Sequence, residues 1–571
     1  MGAAVQRPIG FGSGDPTASG AGAARPHGRV ARVLTRNIWI RLWGGRAPYP
    51  SLLVVAGGTA LLMAVPLLYL IVRALGAGHK VWADLWYARL PGLLGNTLKL
   101  ALATTALAAC MGLPLAWLVM RTDLPGRRVV RWLGALPLVY PAFVGSVVYI
   151  DIFGPRGLLE QGLQRIVGEP VRLPSIYGLP GSALVIALFT YPYLYLLTAA
   201  ALGNLNYTLE EAARTAGLRG MAIFRRVTLP LIRPAVSAGA LMVAFHALAE
   251  FGTVALMRYD TFTSAIFLQL LGRFDPGRAA ALSTILVALT CLILVGEQQF
   301  ARRARYYQTV GTWRPAPPVR LGPWRWPALI FVGLVLLLSL GLPTGMILYW
   351  TAQALQQGLD LRLLEYIWNS VSSAALAATL ATALAFPIAY LAARNAGPGS
   401  RFLHLLAYSG YALPGVVVAL AMTFVFLRWL PGLYGTLWVM VAAYVVRFMP
   451  EAIGSEQSAL VQIAPSVEDA SRLLGHSFMA TIRRVTLPLA VPGLVAGWSM
   501  VFLNALKELP ATLLLRPVGH DTLAVRVWIP ASDGFYTRSG PPALFLILLA
   551  VPPVMILVGR MLRERRKEDA A

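Results

Sequence analysis

Twelve apolar stretches, each long enough to cross a lipid bilayer as a helix, are the feature that most constrains this chain. They lie near 51–75, 94–120, 129–153, 181–203, 234–257, 279–298, 326–352, 369–393, 402–428, 434–457, 491–515 and 541–562. A membrane-spanning helix needs about 20 apolar residues, and its backbone polar groups are satisfied within the helix itself. Because long alternating segments of the kind that build barrels are absent from the sequence, the pattern predicts an all-α polytopic membrane protein.

Composition supports a membrane protein and excludes an ordinary soluble domain. The chain is 57% hydrophobic and only 13% charged. Its formal net charge of +25 comes from short basic clusters between apolar runs, which favours membrane topology over nucleic-acid binding. Cys110 and Cys291 each lie inside an apolar run, so the sequence indicates no disulfide framework and assigns no metal ligands.

The distribution of arginine predicts the orientation. With twelve alternating helices, most arginine clusters near helix ends fall on one side, which places both termini in the cytoplasm. The opposite loop at 154–180 also carries arginines, although acidic residues stand among them. Residues 1–47 lack the apolar core of a signal peptide and are expected to form a disordered basic tail, and 563–571 a second basic tail.

The chain is duplicated. Pro114 and Pro387, and Arg121 and Arg394, fall at one constant offset. A slightly smaller offset aligns 211–231 with 469–489, and the heptapeptide RRVTLPL is identical in both segments. We therefore expect two six-helix repeats in the same orientation, a first half at 48–311 and a second half at 326–562, joined by a cytoplasmic linker at 312–325.

Each half contains one cytoplasmic loop with a helix, a glycine turn and a second helix: loop A at 204–231 and loop B at 458–489. Thr208 with Glu211, and Ser466 with Asp469, have the spacing of capping boxes. Gly217 and Gly475 are expected to turn the chain with positive φ. Arms of about ten residues are too short to be stable alone, so we expect each loop to dock on a partner.

Both loops resemble the EAA loop of binding-protein-dependent ABC importer permeases. The matching residues are Glu211, Ala212, Ala213, Gly217, Leu229 and Pro230 in loop A, and Asp469, Ala470, Ser471, Gly475, Leu487 and Pro488 in loop B. Loop B departs from the motif at Asp469 and Ser471. The resemblance implies a bacterial inner-membrane subunit whose loops dock on a dimer of ATP-binding subunits, with an extracytoplasmic substrate-binding protein on the other side.

A more specific resemblance follows each loop. The segments 246–253 and 505–517 occupy equivalent places. The second of them, with 446–451 upstream, looks like that of fused ferric-iron permeases, and this resemblance covers nearly the whole chain after the N-terminal tail. Thiamine and aminoalkylphosphonate permeases have a similar duplicated architecture. The resemblance implies ferric iron as the first candidate substrate and leaves those two as alternatives.

Glu250 and Glu508 occupy equivalent positions after the two loops, toward the outer leaflet. Ionisable groups in membrane spans are functional candidates, and carboxylate oxygens suit a hard cation, so both residues are candidates for a translocation pathway or gate. The alternative is that each only locks neighbouring helices together, Glu508 through Lys507 or Arg516. We expect His246 to be a packing residue and Glu451 to lie near a helix end.

The sequence contains no G-x-x-x-x-G-K-[ST] phosphate loop and no H-E-x-x-H or G-x-S-x-G motif. We therefore expect no enzyme activity and no cofactor on this chain, with ATP and Mg bound by the partner ATPase. A secondary transporter driven by an ion gradient is the alternative from another class, but it has no need of paired docking loops.

Overall fold

The computed structural model describes residues 42–44, 48–169, 172–272, 275–303, 317–358, 360–395 and 397–568. Within these ranges the regular structure is helical, with one isolated bridge between Thr122 and Val319. Eleven of the described helices are long and apolar enough to cross a membrane, or twelve if one bent pair forms a single span. The predicted fold class is confirmed. The two predicted tails and the predicted linker lie partly outside the described residues.

The helices of the twelve spans are numbered in chain order. They are α1 (Pro50–Leu75), α2 (Leu90–Arg121), α3 (Ala142–Phe153), α4 (Leu179–Asn204), α5 (Leu229–Ala249), α6 (Pro276–Arg303), α7 (Gly322–Gln357), α8 (Leu363–Arg394), α9 (Gly415–Trp429), α10 (Leu437–Gln462), α11 (Leu487–Leu506) and α12 (Tyr536–Glu568). Each half contributes six of them.

Two of the predicted continuous spans are bent where a proline precedes the helix. The segment 129–153 begins as the short helix Arg127–Leu133 and turns before α3, and Pro398–Tyr411 meets α9 at 105°. Pro141 and Pro414 are the residues before α3 and α9, both in extended backbone. Because proline lacks an N–H and clashes with the preceding turn, it starts these helices and cannot continue the earlier ones.

The predicted spans 234–257 and 491–515 are also broken. α5 ends at Ala249, and the short helix Gly252–Leu256 follows. α11 ends at Leu506, and the short helix Pro510–Leu515 follows. The two breaks fall at equivalent positions of the repeat and place Glu250 and Glu508 outside regular helix.

Each half is built around three closely packed helices, α2, α4 and α5 in the first and α8, α10 and α11 in the second. Small residues allow the close approach, as is usual between membrane helices. A Cβ atom on Gly239 of α5 would lie 2.8 Å from the Cα of Leu194 on α4, and one on Gly497 of α11 would lie 3.1 Å from the Cα of Ala452 on α10. These two pairs occupy equivalent positions, so both halves use the same packing.

The two halves exchange their first helices. α1 packs against α6 but also against α8 and α9 of the second half, and α7 packs against α12 but also against α3 of the first half. The Tyr149 hydroxyl of α3 donates to the Leu338 carbonyl of α7 at 2.8 Å, and the Trp350 indole donates to Asp151 at 2.9 Å. This exchange interlocks the halves, so neither repeat is a separate body.

The chain entering α7 pairs with the end of α2. The Val319 N–H donates to the Arg121 carbonyl at 2.7 Å, and the Asp123 N–H donates to the Val319 carbonyl at 3.2 Å. This short bridge holds the described end of the predicted linker against the first half. It brings the start of α7 beside loop A.

We predict that Gly239→Val destabilises the protein more than Gly58→Val. A valine at 239 overlaps Leu194 on α4, and overpacking of this kind costs about 1–3 kcal/mol. Gly58 of α1 is exposed, and a Cβ atom added there would meet no other atom within 4 Å, so it is a matched control. Thermal unfolding in detergent measures the difference, and equal melting temperatures for the two variants would contradict the packing described here.

Candidate functional site

Loops A and B have the predicted glycine turns but not the predicted capping boxes. The first arms are Tyr207–Thr215 and Pro465–Leu473, and Gly217 and Gly475 follow with φ of +87° and +86°. Asn206, not Thr208, caps the first arm of loop A by accepting the Thr208 N–H, and the first arm of loop B has no side-chain cap. The second arms run without interruption through a π-turn into α5 and α11, so movement of a loop moves its membrane helix.

One buried carboxylate fastens each loop to the membrane helices. Glu210 of loop A forms an ion pair with Arg121, the last residue of α2, and accepts a hydrogen bond from Thr228 at 3.0 Å. Glu468 of loop B forms an ion pair with Arg394, the last residue of α8, at 2.8 Å. The glutamate and arginine side chains of both pairs are more than nine-tenths buried.

Loop B has the matching threonine contact and one further donor, a tyrosine. The Tyr390 hydroxyl donates to Glu468 at 2.8 Å, and the Thr486 hydroxyl donates to it at 3.2 Å. Thr228 and Thr486 are the threonines of the repeated RRVTLPL heptapeptide, so their contacts explain why a threonine stands at that place in both halves. A carboxylate with several donors of this kind holds its helix in one position.

Sequence reasoning missed Glu210 and Glu468 and chose their neighbours, Glu211 and Asp469. The signal was present, because Glu210 and Glu468 are identical at the offset that aligns the loops, as Arg121 and Arg394 are at the other offset. Glu211 is exposed and Asp469 is half-buried. The anchoring role therefore belongs to the first acidic residue of each loop.

Most of the residues assigned to docking lie at the surface of the loops. Those exposed are Glu211, Ala212, Gly217, Leu229, Pro230, Ala470, Gly475, Leu487 and Pro488. Ala213 and Ser471 are buried instead, and the Ser471 hydroxyl bonds that of Thr481 at 3.1 Å. Ala213 and Ser471 therefore lie inside the loops, whereas the exposed residues face outward.

Large apolar side chains also project from the loops. Leu473 and Leu474 of loop B are 89% and 80% exposed, and the equivalent methionines Met221 and Met479 are each 62% exposed. Apolar side chains clustered on a polar, basic surface are typical of a protein interaction site. The surface of loop B is more apolar than that of loop A.

A second feature is a cavity of about 190 Å³ where the two halves meet. Its walls come from α4, α5 and the turn before α3 in the first half, and from α10, α11 and the turn before α9 in the second. The charged, imidazole and amide side chains that line it are His246, Glu250, Arg447, Glu451, Asn504, Lys507 and Glu508. Both candidate pathway residues therefore face one cavity.

Glu250 and Glu508 are held in the same way. Glu250 accepts hydrogen bonds from the N–H and hydroxyl of Thr253, both at 2.9 Å, and Glu508 accepts one from the Ala511 N–H at 3.1 Å. Each carboxylate thus fixes the start of the short helix after its break. Glu508 also forms an ion pair with Arg447 of α10.

Neither Lys507 nor Arg516, the two partners predicted for Glu508, pairs with it. Arg516 pairs with Asp521 outside the cavity, and the Lys507 ammonium donates to the Leu138 carbonyl of the first half at 2.9 Å. Room for the observed Arg447 pair comes from Gly415, because a Cβ atom there would overlap both side chains. Arg447 and Glu508 are far apart in the sequence, so the sequence alone does not predict this pair.

Glu451 differs from its expected position, whereas His246 packs against an aromatic ring and also borders the cavity. Glu451 lies in the middle of α10 and not near a helix end, and its carboxylate accepts from the Asn504 amide at 2.8 and 2.9 Å. His246 lines the cavity with its ring 4.4 Å from that of Tyr193. In the part of the chain that the structure describes, no three His, Cys, Asp or Glu side chains are grouped to hold a metal ion.

Comparison with known proteins identifies a family for both halves. The family model described as binding-protein-dependent transport system inner membrane component matches residues 108–305 and 385–564. The match therefore occurs twice, once in each half, and includes both loops and the cavity.

Three relatives match different shares of the chain. The Fe(3+)-transport system permease protein FbpB 2 of Haemophilus influenzae is 31% identical over 89% of this chain and 97% of its own length. The ferric transport system permease protein FbpB of Actinobacillus pleuropneumoniae is 23% identical over 82% of this chain and 69% of its own. The thiamine transport system permease protein ThiP of Brucella abortus is 32% identical, but over 43% of this chain and 47% of its own.

We predict that Glu468→Gln loosens loop B. The substitution leaves Arg394 buried without its ionic partner, which costs about 3–5 kcal/mol. Trypsin should then cut at the exposed residues Arg483 and Arg484 at least about tenfold faster than in the unmodified protein. Limited proteolysis in detergent measures the rate. The control is Glu211→Gln, which alters an exposed carboxylate of loop A, with cleavage followed at Arg225 and Arg226. Equal protection of both variants would contradict the anchoring role.

Proposed function

Because the chain belongs to the family of binding-protein-dependent transport system inner membrane components, we propose that it is the membrane subunit of an ATP-driven importer of ferric iron. The observation that carries this proposal is the duplicated arrangement of two anchored loops around one carboxylate-lined cavity. One polypeptide thus supplies both halves of the translocation unit.

Ferric iron is favoured over the alternatives by the extent of the resemblance. The ferric-iron relative from Haemophilus influenzae matches this chain along nearly its full length, whereas the thiamine relative matches less than half. The chemistry of the cavity agrees, because carboxylate oxygens are the side-chain ligands that suit a hard cation. Thiamine and an aminoalkylphosphonate are the alternatives that a transport assay must exclude.

Loops A and B receive force from separate ATP-binding subunits. Their exposed apolar and basic side chains form the docking surfaces, and the partner dimer binds the ATP and Mg that this chain does not. The arginines beside both loops favour a cytoplasmic position for this face and for both termini. A substrate-binding protein delivers cargo on the opposite face of the inner membrane.

The cavity between the halves is the pathway. Each loop continues into α5 or α11, and these helices end just before Glu250 and Glu508, so a movement of the loops reaches the cavity walls directly. We infer alternating access, in which closure of the ATPase dimer moves both loops together and changes the side to which the cavity opens. A secondary transporter would use the same cavity without the docking loops.

We predict that replacing both Gly217 and Gly475 with leucine uncouples transport. Both glycines have positive φ, which strains any residue with a side chain, while no atom lies within 4 Å to obstruct one. The turn of each loop is therefore distorted and the membrane helices are not. ATP-dependent uptake of ferric iron into vesicles that hold the complete transporter should fall about tenfold or more. This is the size of effect expected when the coupling free energy between the loops and the pathway is lost.

Gly358→Leu is the matched control for that experiment. Gly358 lies between α7 and α8, has φ of +96° and also has no atom within 4 Å. This variant should transport at nearly the normal rate because its turn is remote from both loops. Undiminished uptake in the double variant at 217 and 475 would refute the coupling role of the loops.

We predict that Glu250→Gln reduces ferric-iron uptake about tenfold while preserving the fold. A glutamine oxygen can still accept from Thr253, so the start of Gly252–Leu256 keeps its cap and only the charge is lost. Uptake and thermal stability are measured together, with the exposed Glu365→Gln as the control. If Glu250 only locks the helices, uptake will remain normal in the variant.

A further inference from the structure

The cavity has two unlike walls although the chain is duplicated. Glu250 and Glu508 match, but at four other positions the first half carries an aromatic or small residue where the second half carries a charged or amide one. The equivalent pairs are Phe189 and Arg447, Tyr193 and Glu451, His246 and Asn504, and Ala249 and Lys507. Two cationic side chains therefore stand in the proposed path of a cation, and both belong to the second half.

The two walls also touch each other differently. On one side the Lys507 ammonium of the second half donates to the Leu138 carbonyl of the first half at 2.9 Å. Tyr411 is the equivalent of Leu138, and it meets Phe245 of the first half edge to face, with 5.9 Å between ring centroids. One side of the seam thus carries a charged hydrogen bond, and the other carries an aromatic contact.

The charges in the cavity are almost balanced. If all are ionised, Glu250, Glu451 and Glu508 carry three negative charges, and Arg447 and Lys507 carry two positive ones. Arg447 pairs with Glu508, whereas Glu451 is bonded to the neutral Asn504 amide. The ammonium of Lys507 lines the same cavity as the three carboxylates but is bonded to a carbonyl of the first half.

We propose that Lys507 is a cation-sensitive latch between the halves: its ammonium holds the Leu138 carbonyl while the cavity is empty, and a multivalent cation displaces it. The arriving cation is drawn to the carboxylates and repels the ammonium, because both interactions act in a low-dielectric site. Lys507 then leaves Leu138 and the halves can move apart. The latch makes cargo charge a condition for opening, so it selects a multivalent cation over a neutral solute.

The location of its bonding partner favours this role for Lys507 over Arg447. The Arg447 ion pair lies wholly within the second half, on α10 and the break after α11, so its separation does not free one half from the other. The Lys507 bond joins residues on opposite sides of the seam. Its acceptor is a neutral carbonyl, which holds an ammonium less strongly than a carboxylate does.

The experiment measures ATP hydrolysis by the complete transporter in vesicles, without the binding protein and in iron-free buffer. This inference rests on the proposed coupling to ATPase subunits and on a cationic cargo, but this measurement needs no cargo. Lys507→Met removes a charged hydrogen bond, so hydrolysis should rise about tenfold because the halves separate without cargo. Lys507→Arg keeps the charge and the donor and should stay near the unmodified rate.

Two further variants complete the test. Lys99→Met is the matched control, because Lys99 lies exposed on α2 away from the cavity, and its hydrolysis should not change. Lys507→Gln keeps a polar side chain and covers the case in which the methionine variant does not fold. The latch predicts a similar rise for it, since the shorter amide lacks the charge.

Addition of binding protein loaded with ferric iron gives the second readout. It should stimulate hydrolysis by the unmodified transporter and by Lys507→Arg, and add little to Lys507→Met, which is already unlatched. Unchanged cargo-free hydrolysis in both Lys507→Met and Lys507→Gln would overturn the latch. If the cargo-free rise occurs but iron stimulates no variant, the Lys507 bond still holds the halves together, but its release by ferric iron is refuted.

Discussion

The proposed coupling depends on two buried ion pairs, Arg121 with Glu210 and Arg394 with Glu468. A short helical loop in water has little stability of its own, so it can transmit force only if it is fastened to the helices that must move. Each carboxylate meets the last residue of one long membrane helix, α2 or α8, and a threonine just before another, α5 or α11. The loops are therefore rigid extensions of the membrane bundle, and their exposed surfaces are left for a partner.

Duplication gives the molecule two copies of this device but not two copies of the cavity wall. The helix packing, the loop anchors and the caps at Glu250 and Glu508 are repeated, whereas the charged residues of the cavity come almost entirely from the second half. A fused chain can diverge in this way because its halves always meet each other and never a copy of themselves. The exchange of α1 and α7 fixes that pairing by interlocking the two repeats.

Much of the architecture followed from the sequence, because apolar length and repeat offsets are local or one-dimensional signals. The spans, the duplication and the glycine turns at Gly217 and Gly475 are of this kind. The anchors Glu210 and Glu468 were overlooked because the motif directed attention to the next residue, although their identity in both halves distinguished them. The Arg447 ion pair and the Lys507 bond to Leu138 join distant segments, so only the packing of helices reveals them. The length of an apolar stretch does not show where a proline bends the chain, so the bends before α3 and α9 were not predicted.

The most direct test of the account is accumulation of ferric iron by vesicles, with and without the ATP-binding subunits. Vesicles that contain this chain, its ATPase partner and an iron-loaded binding protein should concentrate iron against its gradient only when ATP is present on the side of loops A and B. Vesicles that contain this chain alone should not concentrate it. Uphill movement by the chain alone, without nucleotide, would contradict the claim that the two anchored loops receive the driving force from a separate motor.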